Sequence, residues 1–86
     1  MIPVTEYDGI SPADAELRRE AVYKVIVELG APTNKQIAAY LGWPINCVTG
    51  RTYELRREGR VVEGEKVIDR HTKKWVHTWM PKEGRE

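Results

Sequence analysis

The sequence predicts an α+β chain in which a three-helix core precedes a two-stranded β-hairpin. Three observations carry that expectation. Apolar residues recur at helical spacing in two stretches, a capping box opens at Thr33, and from residue 60 the pattern changes to that of strands. Eighty-six residues make one domain, because a chain of this size hides only about 60 to 65% of its extended surface on folding and cannot support two cores.

The first helix is expected to begin at Ser11, whose hydroxyl can accept from free backbone amides. Pro12 suits the first helical position, and Asp14 favours the positive end of the dipole. Ala21, Val22, Val25, Ile26 and Leu29 form an apolar stripe, which Gly30 and Pro32 end. Thr33-Asn34-Lys35-Gln36 fits a capping box, in which the Thr33 hydroxyl and the Gln36 amide satisfy each other's orphan backbone amides. Ile37, Ala38 and Leu41 supply the inner face of this short second helix, and Gly42 closes it.

A third helix follows Trp43-Pro44, with Val48, Thr52 and Leu55 on its inner side and Gly59 as its stop. At about 100° per residue the opposite side is centred on Asn46, Gly50, Tyr53 and Arg57. Strands are expected at Val61-Val62-Glu63, at Lys66 to Arg70 after a break at Gly64, and at Trp75 to Met80; His71 to Lys74 form the tip. Residues 1–10 read as an arm, 11–80 as the domain and 81–86 as a tail, with Pro81 ending the pairing and Lys82 to Glu86 fraying.

Composition excludes several classes. Apolar residues are 41% of the chain and charged residues 31%, the balance of a globular protein rather than a disordered one. No apolar run approaches the roughly 20 residues that cross a bilayer, and MIPVTEYDGI has neither the basic nor the apolar segment of a secretory signal, so a cytoplasmic location without membrane is expected. A lone Cys47 builds no disulfide framework. Cys47, His71 and His77 do not make a zinc spacing, and the carboxylates are scattered over helix faces and hairpin, so neither a metal, a cofactor nor an enzyme is expected.

Net charge is +1, yet it is unevenly placed. Residues 1–43 carry four basic and six acidic side chains, a balance of −2, while residues 44–86 carry ten and seven, a balance of +3. A polyanion should approach the second half.

Helix, capped short helix, glycine turn, longer helix and hairpin is the element order of a winged helix-turn-helix domain. Small Ala38 sits where the second and third helices cross, Gly42 four residues on makes the turn, and Val48 six further plugs the space between them. Thr33 to Ala38, Leu41-Gly42, Pro44-Ile45-Asn46, Val48 to Arg51, Glu54-Leu55, Gly59 and the closing Thr78-Trp79 resemble small winged-helix proteins of bacteriophages and mobile elements. The likeness spans about residues 13–80 and departs at Thr52, where such families usually carry a large aliphatic residue, which is expected to thin the core there. The resemblance implies double-stranded DNA binding and places Trp79 inward, with Trp75 partly buried beside it; the alternative for these tryptophans is base stacking or a dimer contact.

The third helix is the natural reader of a major groove. Asn46, Thr49 and Tyr53 offer hydrogen bonds to base edges or phosphates, Arg57 reaches guanine or backbone from the same face, and Gly50 leaves room for close approach. Lys35 and Arg51 flank the reader, and Lys73 and Lys74 at the hairpin tip are placed for phosphates. Each has an ordinary alternative: Asn46 as a helix-starting residue, Tyr53 as a plain surface tyrosine, Arg51 in an ion pair with Glu16 or Glu20, and the two lysines as a solvated turn. The expected function is sequence-specific DNA binding in a phage or mobile-element regulator or accessory factor. The alternatives are a protein-docking domain within a larger assembly and a DNA-recognition module of packaging or replication. A monomer and a homodimer, through the first helix or the tryptophan strand, are both open.

Overall fold

The computed structural model describes residues 12–82, so the arm at 1–10, the Ser11 cap and residues 83–86 lie outside the described residues. Three helices, α1 (Pro12–Leu29), α2 (Asn34–Leu41) and α3 (Ile45–Arg57), precede strands β1 (Val61–Ile68) and β2 (Trp75–Pro81). The strands pair antiparallel as a two-stranded sheet, which makes the predicted three-helix core with a hairpin wing.

The apolar stripes meet at one core. Val22, Val25 and Ile26 of α1 pack with Ile37 and Ala38 of α2, Val48 and Leu55 of α3, Val61 of β1 and Trp79 of β2. The stripe of α1 is narrower than expected at its end, where Leu29 is 42% exposed because the helix runs past its neighbours. Trp43 and Tyr23 pack against the rim, and the Arg18 guanidinium lies 5.7 Å from the Trp43 ring centre.

The capping box forms as predicted. Gln36 N–H donates to Thr33 Oγ1 at 3.2 Å, and Thr33 N–H donates to Gln36 Oε1 at 2.9 Å. At the other end Gly42 adopts φ +72°, a left-handed turn that a side chain would strain, and donates to Ala38 O at 2.8 Å. These two ends fix α2 at eight residues and aim the chain into α3.

Thr52, expected to thin the apolar core, is polar but fully closed off from solvent. It is 1% exposed, and its hydroxyl donates to Asn34 Oδ1 at 3.0 Å, with Thr49 O a second acceptor at 3.1 Å. The indole Nε1–H of Trp79 donates to the same Asn34 Oδ1, also at 3.0 Å. A hydroxyl in place of aliphatic bulk therefore exchanges apolar contact for a shared acceptor that joins α2, α3 and β2.

The wing is anchored at its base and bulged in its middle. Trp79 N–H donates to Pro32 O at 2.9 Å, and Thr33 bridges Thr78, so the loop before α2 lies along the outer edge of β2. What reads as a break at Gly64 is a bulge within one continuous β1, since the register shifts between Glu63 and Lys66. A Cβ on Gly64 would stand 2.5 Å from Thr78 Oγ1 and 3.0 Å from Met80 Sδ, so only glycine lets the two strands approach there. Thr78 Oγ1 donates across the bulge to Glu65 O at 2.8 Å.

Three expectations about the hairpin are corrected. Pro81 does not end the pairing: it lies opposite Val61, and Lys82 N–H donates to Arg60 O at 2.9 Å, so the expected fraying does not begin at Lys82. Asp69 and Arg70 belong to the turn rather than to a strand, because Lys73 N–H closes onto Asp69 O at 2.7 Å. Trp75, expected to be partly buried, is 64% exposed. It shares the face of Trp79, but the hairpin tip extends past the core, and a shared face supplies no partner.

Replacing Asn34 by Ala should cost about 2 kcal/mol, since it strands the Trp79 indole N–H in the core while leaving Thr52 its bond to Thr49 O. Asn34→Asp, which keeps the acceptor, should cost less. Urea unfolding of both variants checks this, with tryptophan emission as the signal; equal losses would show that the acceptor itself is not what matters.

Candidate nucleic-acid interface

Ion pairs tie α3 and its C-terminal end to α1 along one flank. Glu54 takes a hydrogen bond from Arg19 Nη1 at 2.9 Å, and Arg19 Nε also lies 3.4 Å from Glu58 Oε2. The carboxylates of Glu54 in α3 and of Glu58 at its C-cap are thus drawn toward α1. Arg60, just past α3, forks onto Glu20 and lies 4.4 Å over the Tyr23 ring. Burial opposes ionisation of Glu54, but hydrogen bonds from Arg19 and Arg51 outweigh it and hold its carboxyl below the usual range. Glu20 is likewise lowered by its hydrogen bond from Arg60.

Arg51 is the expected DNA-facing residue that the structure removes from the surface. It is 3% exposed, with Nε donating to Glu54 Oε1 at 3.0 Å and Nη2 to Glu54 Oε2 at 2.9 Å. Its position falls between the inner and outer sides of α3, and the nearest carboxylate one turn on captures it. Of the two acids expected as its partner, Glu20 is instead engaged by Arg60.

The remaining side chains of the reader do gather on one outward face. Asn46, Thr49, Tyr53 and Arg57 are exposed, and Asn46 makes no side-chain hydrogen bond among the described residues. It does not cap α3, whose N-cap position is Pro44 with no side-chain bond. Thr49 donates its hydroxyl to Ile45 O at 3.0 Å, which leaves its oxygen lone pairs outward as acceptors. The Arg57 guanidinium rests 5.6 Å from the Tyr53 ring centre, a contact that restrains it before any partner arrives. A Cβ on Gly50 would meet nothing within 4 Å, so nothing in the protein requires glycine there.

Lys35 points to the wing rather than to solvent alone. Its Nζ lies 2.9 Å from Asp69 Oδ2, tying the first turn of α2 to the hairpin tip. Asp69 also accepts from the His71 N–H at 2.8 Å, and its carboxyl is held below the usual range by Lys35 first and by that amide second. Lys73 and Lys74 are exposed at the tip, with Lys73 at φ +61°.

Between α2 and the wing runs an open groove of about 770 Å³, lined among others by Lys35, Ile45, Val67, Ile68, Arg70 and Trp75. The sequence reading missed this apolar component, and also Lys66 and Arg70. Among the described residues, Lys66, Arg70, Lys73 and Lys74 have no carboxylate within ion-pair distance. No group of three or more His, Cys, Asp or Glu side chains that could hold a metal occurs among the described residues. Nor is any described helix long and apolar enough to cross a membrane.

The structure therefore defines a three-helix core with a hairpin wing, in which one polar helix face and a cationic tip lie outside. Neither comparison with protein-family models nor comparison with curated proteins finds a match for the chain.

The depressed Glu54 and Glu20 carboxyls give the fold an acid limit. A group whose folded-state value lies below its unfolded one contributes stability fully above the unfolded value, here about 4.5, and loses it as pH falls through the folded value. Thermal midpoints should hold steady near neutrality and drop below that pH. Glu54→Gln should lower the neutral midpoint and make the acid drop shallower; an unchanged acid limb would count against the ion-pair account.

Proposed function

We propose that this protein binds double-stranded DNA through the outer face of α3 and the tip of the wing, as a sequence-reading regulator or accessory factor without catalytic activity. The observation that carries the reading is the outward face of Asn46, Thr49, Tyr53 and Arg57, from which the carboxylates of Glu54 and Glu58 are held away by Arg19. Thirteen residues make a helix about 20 Å long, and a helix about 10 to 12 Å across fits a major groove about 12 Å wide. Asn46 and Arg57 have the hydrogen-bonding geometry that suits adenine and guanine edges. Lys73, Lys74 and Arg70 supply phosphate contacts from the wing, while Arg51 serves the fold.

The likeness to winged-helix proteins of bacteriophages and mobile elements supports a regulatory or accessory setting in the cytoplasm. A packaging or replication role uses the same contacts. The protein-docking alternative has one observation in its favour, the exposed Leu17 and Val27 on α1, at 68% and 52%. In that case a partner's binding would respond to Leu17→Ser and not to Arg57→Ala.

Titration of a labelled duplex at several salt concentrations tests the DNA reading. Each contacted phosphate adds about −0.9 to the logarithmic salt slope, so contact with about five gives about −4.5, and Lys73→Ala with Lys74→Ala should reduce its magnitude by about 1.8. Asn46→Ala should cost about 1 to 3 kcal/mol on a selected sequence and little on a random one. A flat salt response in the unaltered protein would refute the reading.

Gly50→Ala separates binding from folding. It should stabilise the free protein by about 1 kcal/mol through helix propensity, because the added methyl meets no protein atom within 4 Å. It should nevertheless weaken duplex binding, as the methyl enters the space between helix and groove. Paired unfolding and titration curves check both signs.

A further inference from the structure

Trp75 is the largest side chain that folding leaves open. It is 64% exposed, and Ile68, directly opposite it on β1, is 50% exposed. Paired residues of an antiparallel sheet share a face, so the Trp75 indole and the sec-butyl chain of Ile68 form one apolar plate at the wing tip. The plate borders the groove that Ile45, at the start of α3, lines from the other side. It is thus continuous with the helix face assigned above to DNA.

The surroundings of the plate select its occupant. Residues 66–75 contain four basic side chains and one acidic, Asp69, and Asp69 is already engaged by Lys35. A second copy of this chain would bring four more cations against these. A duplex offers the opposite: phosphates that suit Lys66, Arg70, Lys73 and Lys74, and between them the apolar deoxyribose faces and base edges of the groove wall.

We propose that Trp75, backed by Ile68, is an apolar contact by which the wing packs against the sugar and base edges of bound duplex DNA, between the phosphates held by the surrounding cations. The inference rests on the DNA reading above and adds to it a non-ionic component. Phosphate neutralisation sets the slope of affinity against salt, whereas apolar packing changes affinity at every salt concentration by the same factor.

Anisotropy of a labelled mixed-sequence duplex of about 20 base pairs, titrated at about 50 to 200 mM salt, reads both quantities. Trp75→Ala should weaken binding about tenfold, or about 1.4 kcal/mol, with the salt slope unchanged, while Trp75→Phe should retain most of the affinity. Trp75→Lys should bind more weakly than the unaltered protein despite its added cation. Because Trp75 lies outside the core, all three should unfold at nearly the unaltered temperature. Affinity of Trp75→Ala within twofold of the unaltered protein would overturn the inference and leave the DNA reading standing, as would equal or tighter binding by Trp75→Lys. So would a Trp75-dependent dimer with unchanged affinity for duplex. Absence of duplex binding by the unaltered protein would instead overturn both.

Discussion

A single side-chain oxygen, Oδ1 of Asn34, holds together the three elements that make the outer surface. It accepts from Thr52 of α3 and from Trp79 of β2, and it belongs to the first turn of α2. Asn34 itself is held by the capping box that Thr33 and Gln36 close around it. Helix–helix packing alone leaves rotation about the helix axis weakly specified, since apolar contact has no direction. Two hydrogen bonds converging on one atom have direction, and in a core of low dielectric an unmet donor is costly. The polar face of α3 points outward, and the wing stands beside it, partly because any rolling of α3 or lifting of β2 would break one of these bonds.

Charge placement then divides the cations by use. Arg19, Arg51 and Arg60 are consumed in pairs with Glu54, Glu58 and Glu20 that stitch α1 to α3 and its end. Arg18 and Arg57 lie over Trp43 and Tyr53. Among the described residues, Lys66, Arg70, Lys73 and Lys74 of the wing have no carboxylate within ion-pair distance. A chain of net charge +1 can in this way present a cationic tip, because Glu20, Glu54 and Glu58 are paired with arginines on the α1–α3 side of the fold and Asp69 with Lys35.

Much of the architecture was legible in the sequence, for local reasons. The box at Thr33 and Gln36 and the glycine at residue 42 specify their own backbone geometry, so they need no knowledge of the rest of the chain. The inner faces of α2 and α3 follow from a 3.6-residue period, and Asn46, Thr49, Tyr53 and Arg57 fall outward by the same count. Where the reading failed, the deciding partner was distant in sequence or absent. Arg51 sits at the edge of a helical wheel, and only the position of Glu54 and the proximity of α1 decide that it turns inward. Thr52 looked like a lost contact, although a hydroxyl at a core position is itself a sign of a buried acceptor, here 18 residues upstream. Trp75 followed its strand-mate Trp79 in alternation, but alternation gives a face and not the reach of the core beneath it.

Backbone amide mapping by NMR during titration with a short duplex tests the account most directly. The DNA reading predicts the largest shifts at Asn46, Thr49, Gly50, Tyr53 and Arg57 and along Arg70 to Trp75, with Leu17, Lys24 and Val27 of α1 unmoved. Shifts concentrated on α1, or none at low salt, would contradict it.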